Sequence, residues 1–194
     1  MSASSSPPRG KIDRSVSVAE ANLKRLGIAL PLTVLLAVVY LGVWGLASLL
    51  GGIAAFARPA SLILSFLLGV PLHELVHGLS WALFGRRPLR DVKFGFQLRS
   101  LTPYAHLRVP LPARAYRLGA LMPALLLGFV PYLAGLALGN GWLLSFGLLY
   151  VFAAGGDLLV LWLLRDIPGG ASVEDHPSRA GCVVLLPERP LGQP

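Results

Sequence analysis

The sequence predicts an all-α polytopic membrane protein with four transmembrane helices. Three observations predict it: few charges, apolar blocks of bilayer length, and basic residues gathered between those blocks. Of 194 residues, 55% are hydrophobic and 13% charged, against roughly 25% charged in a soluble domain. Residues 26–56 contain no charged side chain, 60–84 contain only Glu74, and 118–164 contain only Asp157. A span needs about 20 apolar residues. The last block, 47 residues long, therefore holds two spans, with Gly139-Asn140-Gly141 supplying the turn. The expected helices cover 27–52, 60–84, 118–138 and 142–164.

Around them the chain divides into a cytoplasmic, disordered leader (1–25), a transmembrane domain (26–165) with a basic loop at 85–117, and a cytoplasmic tail (166–194). The Ser/Pro-rich start cannot bury a core. A polar leader of this length without a small-residue cleavage motif does not read as a cleaved signal peptide. The net charge of +8 comes largely from Arg9, Lys11, Arg14, Lys24 and Arg25 in the leader and eight Arg/Lys between Arg86 and Arg117. Charge beside spans sets topology. Both termini and the basic loop are expected in the cytoplasm, and the Gly-Asn-Gly turn outside. Lipid, not nucleic acid, is then the partner of that charge. The single cysteine, Cys182, excludes an internal disulfide and a cysteine-rich zinc knuckle.

His73-Glu74-Leu75-Val76-His77 matches H-E-x-x-H. On a helix, positions i and i+4 project to one side, so two imidazoles can meet one zinc ion, and Glu74 lies where it can take a proton from water at the metal. The motif is short, but its setting inside an apolar block makes it a functional candidate, because unpaired ionisable groups in lipid are costly. The bland alternative is a polar helix-packing cluster. A catalytic zinc takes three protein ligands. Asp157 is the acidic residue of the last two spans, and His73, His77 and Asp157 lie 13, 17 and 15 residues into their helices. At 1.5 Å rise these offsets are about 20, 26 and 23 Å, so the three share one level. Asp157 can otherwise be an acceptor for a ligand imidazole or a carboxylate kept neutral by burial. His106 and His176 are rival ligands. Zinc suits the donors, although manganese, iron or cobalt would tolerate them.

Pro71-Leu72-His73-Glu74-Leu75-Val76-His77-Gly78, Tyr116-Arg117-Leu118, Met122-Pro123, Gly156-Asp157 and Asp175-His176-Pro177 together resemble a bacterial domain-of-unknown-function family, membrane proteins described as "putative zincin peptidases". The arrangement is also similar to site-2 proteases, intramembrane metallopeptidases in which one helix supplies H-E-x-x-H and a later one an aspartate. That resemblance implies His73, His77 and Asp157 as ligands, Glu74 as base, and a bacterial inner (plasma) membrane location. Around Asp157 the order here is Gly-Gly-Asp-Leu, whereas site-2 proteases carry Leu-Asp-Gly.

In the basic loop, 92–99 alternates in part and 101–110 carries two prolines, so a short membrane-surface hairpin is expected. It can pair with an extended substrate or lie on anionic lipid. His106 or Arg108 can polarise a carbonyl, although a loop arginine is more often a phosphate anchor. In the tail, Cys182–Leu186 is strand-like, and Asp175-His176 reads as a solvated turn or a weak metal site. The expected function is zinc-dependent hydrolysis of a peptide bond, in a membrane protein or peptide, near the cytoplasmic side of the bilayer. The alternative is a non-catalytic membrane metal-binding or scaffold protein. A solute transporter is disfavoured because four spans show no pair of repeats.

Overall fold

A computed structural model of the chain describes residues 10–97 and 102–186. Its elements run β1 (Lys11–Val16), α1 (Val18–Phe56), α2 (Pro59–Gly85), β2 (Val92–Gln97), β3 (Thr102–Leu107), β4 (Leu111–Pro112), α3 (Ala113–Pro123), α4 (Val130–Leu138), α5 (Gly141–Ala153), α6 (Gly155–Leu163), β5 (Ser172–Asp175) and β6 (Ala180–Leu185). A π-helical stretch, Ala124–Phe129, joins α3 to α4 without a break. The outer part of the leader (1–9), Arg99 of the basic loop and the end of the tail (187–194) lie outside the described residues.

Three helices are long and apolar enough to cross a membrane: α1, α2, and the continuous run from α3 to α4. The bent pair α5 and α6, 43° apart, makes a fourth if it counts as one span. Helix α2 lies within a residue of its expected bounds. Large apolar side chains such as Leu30, Val34 and Val38 face outward on α1, as lipid contact requires.

The leader differs from its expectation. Residues 11–16 form a strand, and α1 begins at Val18. The reason is local: Ser17 Oγ accepts the Glu20 N–H at 3.2 Å, and Glu20 pairs with Lys24 one turn on. These are the start signals of a capped helix.

The all-α expectation is likewise corrected, since small sheets accompany the helices. Strands β1, β6, β5 and β4 make an antiparallel sheet in that order, and β2 and β3 pair as the expected hairpin. The larger sheet packs Leu111, Val173, Cys182 and Val184 against Trp81 of α2, Tyr116 of α3, and Leu164 and Ile167 just after α6.

Close packing of the helices depends on small residues, as it does in membranes. Gly52 of α1 and Gly141 of α5 bring their backbones so near that a Cβ on either would overlap the backbone of the other helix. Gly69 of α2 leaves the space that the Tyr150 hydroxyl of α5 fills, where it donates to the Ser65 carbonyl at 2.6 Å. The Tyr150 contact fixes the depth of α2 against α5, and therefore of His73 against the break before α6.

Candidate active site

Helix α2 presents His73 and His77 one turn apart, their ring centres 4.9 Å from each other. Asp157 enters from the first turn of α6, just after the bend at Ala154. Its Oδ2 lies 3.2 Å from His73 Nε2 and its Oδ1 3.1 Å from His77 Nε2. One ligand atom from each residue falls within 4.8 Å of the other two. The side chains are enclosed, 11%, 6% and 22% exposed in that order.

The imidazole of His77 is oriented from behind. Its Nδ1–H donates to the Gly119 carbonyl at 3.0 Å, which turns Nε2 toward Asp157. Trp81, one turn further along α2, stacks on His77 at 5.1 Å, and Tyr116 stacks on Trp81. Trp81 Nε1 donates to the Tyr116 carbonyl at 3.0 Å. This row of rings fits because residue 119 is glycine, where a Cβ would collide with the Trp81 ring.

Glu74 does not join the cluster. Its Oε2 accepts the Ala105 N–H of β3 at 2.7 Å, while its carboxyl and the two histidines line one cavity of about 390 Å³. A carboxylate has four lone-pair positions, so this bond fixes Glu74 and leaves capacity for a water.

The donors suit zinc. Two imidazole nitrogens and a carboxylate oxygen are donor types that zinc takes, and here each imidazole approaches its own oxygen of Asp157, at 3.2 and 3.1 Å. His73 Nδ1 is buried without a hydrogen-bond partner among the described residues, so whatever binds Nε2 holds that ring. His77 carries the carbonyl acceptor that metal-ligating histidines commonly have behind them.

The rival ligands line the same cavity but lie outside the cluster of three. His106 Nδ1 bonds Asp175 Oδ2 at 2.9 Å and lines the cavity wall. His176 Nδ1 accepts the Ser178 and Arg179 N–H groups at 3.1 and 2.9 Å, which makes it a turn residue. Arg108 lines a neighbouring outer pocket with Lys11 and Glu174. Trp81, Ala105, Tyr116 and Gly119 build the site yet carried no signal of it in the sequence. Tyr116 did lie in a stretch that carried the family resemblance, although without a role.

Apolar helices of bilayer length, enclosing an H-E-x-x-H turn and a converging carboxylate, define a helical protein of membrane character with a zincin-type motif. The family described as "putative zincin peptidase" matches residues 66–172, and the chain belongs to that family. No curated protein and no solved structure matches it.

Proposed function

We propose that the protein is a zinc-dependent, membrane-embedded peptidase that hydrolyses a peptide bond near the cytoplasmic side of the bilayer. The observation that carries this reading is the convergence of His73, His77 and Asp157 within 4.8 Å, on the same cavity as Glu74. His73, His77 and Asp157 would hold zinc, which supplies Lewis acidity to a carbonyl and to water.

The chain's own residues do the rest. Glu74 takes a proton from the attacking water as the new C–O bond forms, and delivers it to the nitrogen as the C–N bond breaks. Ala105 N–H keeps that carboxylate facing the cavity. The Gly119 carbonyl holds the Nδ1 proton of His77, so that Nε2 is the nitrogen that would meet the metal.

A non-catalytic metal binder needs the three ligands but not Glu74, and this separates the two readings. Glu74→Gln keeps an oxygen that can accept the Ala105 N–H, so the fold and the zinc content are expected to stay. Cleavage of fluorescent β-casein by the purified protein in detergent is expected to fall by roughly 10²–10⁴-fold. His73→Ala and Asp157→Ala are expected to lose zinc as well, read by metal analysis. Undiminished cleavage by the Glu74 variant would remove the glutamate from its role as base.

A further inference from the structure

We propose that His106, oriented by Asp175, is a further catalytic residue that donates a hydrogen bond from Nε2 to the substrate's carbonyl oxygen; the inference rests on the peptidase reading above. The motif behind it is Asp175-His176-Pro177, which the metal cluster does not use. Asp175 is 13% exposed and ends strand β5. Its carboxylate accepts the Leu107 N–H at 2.9 Å and the Tyr116 hydroxyl. Those two donors come from β3 and α3, so the carboxylate is anchored before His106 is considered.

The third donor is His106 Nδ1 at 2.9 Å. A ring whose Nδ1 faces an ionised carboxylate must carry a proton there. What remains for a substrate is Nε2, the ring nitrogen not engaged by Asp175. His106 lines the cavity together with Glu74, His73 and Asp157, while its side chain is 43% exposed. A purely structural cap for Asp175 would not need to stand on that wall.

The step balances without any further reactant. As water oxygen bonds to the carbonyl carbon, the π pair moves onto the carbonyl oxygen, and Glu74 takes the water proton. His106 Nε2–H then donates to the oxygen that has gained charge. When the C–N bond breaks, the pair returns to re-form C=O, the nitrogen takes the proton from Glu74, and His106 keeps its own.

Donation from Nε2 requires the imidazolium, because Nδ1–H is already committed to Asp175. The hydrogen bond and charge of Asp175 raise the His106 pKa above the ordinary histidine value, against partial burial and Lys93, its cross-strand neighbour. Glu74, His176 and Arg179 share the lining of the cavity with it; Lys11, Arg108, Glu174 and again His176 share that of the outer pocket. The donor form is therefore full at low pH and lost as pH rises through that raised value.

The test uses the full zinc-loaded chain in detergent and N-phosphoryl-Leu-Trp, whose tetrahedral phosphoryl oxygens copy the charge that a carbonyl oxygen gains. Calorimetry is expected to show His106→Ala binding roughly 10²-fold more weakly, with zinc content unchanged. The wild type is expected to lose affinity as pH rises through the His106 pKa. His106→Gln, with a neutral amide donor, should recover part of the affinity and flatten that dependence. Lys93→Ala removes a cation outside the cavity and should stay within about twofold, since an exposed charge acts weakly at a distance. Equal affinity of the wild type and His106→Ala at every pH overturns the proposal. So does an equal loss in Lys93→Ala, or a zinc-loaded wild type that does not bind the probe. The casein assay of Glu74→Gln reads the peptidase function separately, so either conclusion can fail alone.

Discussion

At His77, a row of three rings decides where one nitrogen points. Trp81 is clamped between His77 and Tyr116, and its indole passes over the bare Cα of Gly119, whose carbonyl receives the His77 Nδ1–H. A methyl at residue 119 would meet a ring that has nowhere to retreat. Gly119→Ala is therefore expected to cost about 1–3 kcal/mol of stability through overpacking. By disturbing the carbonyl behind a ligand it should also weaken zinc binding roughly 10–100-fold. Thermal unfolding and titration against a competing chelator check the two effects, and a variant with wild-type zinc affinity would show that the ring row does not hold His77. These residues explain what was and was not legible. His73, Glu74 and His77 could be read because their relation is helical, and Asp157 because a lone carboxylate in a long apolar block needs a partner. Gly119, Trp81 and Ala105 could not, since they meet their partners across 31 to 42 residues of sequence, and no local pattern announces such a contact.

At the scale of elements, the apolar blocks revealed the long helices because length in lipid is a simple constraint. Their irregularities were hidden. Gly45 breaks the helical angles inside α1, Pro123 precedes the π-helical stretch, and the bend at Ala154 swings Asp157 toward α2. The larger sheet was harder still, because its strands are two to six residues long and come from both ends of the chain and from the loop. Strand β1 covers β6 along the register Lys11 to Leu185 through Val16 to Ala180. That cover is testable through Cys182. Burial, aided by the nearby Asp175 carboxylate, pushes its thiol up to about 12, and the side chain is fully enclosed. The thiolate is the reactive form, so iodoacetamide at about pH 8 should leave the native protein unlabelled and label it fully in denaturant. Removing residues 1–17 uncovers the edge of β6 and should speed labelling, measured by mass spectrometry. Equal rates with and without β1 would show that the strand does not protect the sheet.

At the scale of the whole molecule, the candidate metal centre is a link between halves of the chain. His73 and Asp157 are 84 residues apart in sequence, and within the described residues α5 and α6 otherwise reach α2 through contacts such as Tyr150 on Ser65. The carboxylate sits just beyond a bend, where the helix has fewer constraints than in an unbroken span. Zinc bound by ligands from α2 and α6 would therefore hold that bend against α2, and would favour the native state over any state in which the two helices separate. At a free zinc concentration about 100 times its dissociation constant, the gain is about 2.7 kcal/mol, which for a chain of this size corresponds to roughly 5–10 °C in Tm. A strong chelator should remove that increment from the wild type in detergent, and added zinc should restore it. Glu74→Gln should show the same shift, because Glu74 is not one of the three clustered side chains. His73→Ala and Asp157→Ala should unfold at one temperature with or without the chelator. If Asp157→Ala kept the full shift, the cation would be held without α6, and the link between the two halves would be broken as an explanation.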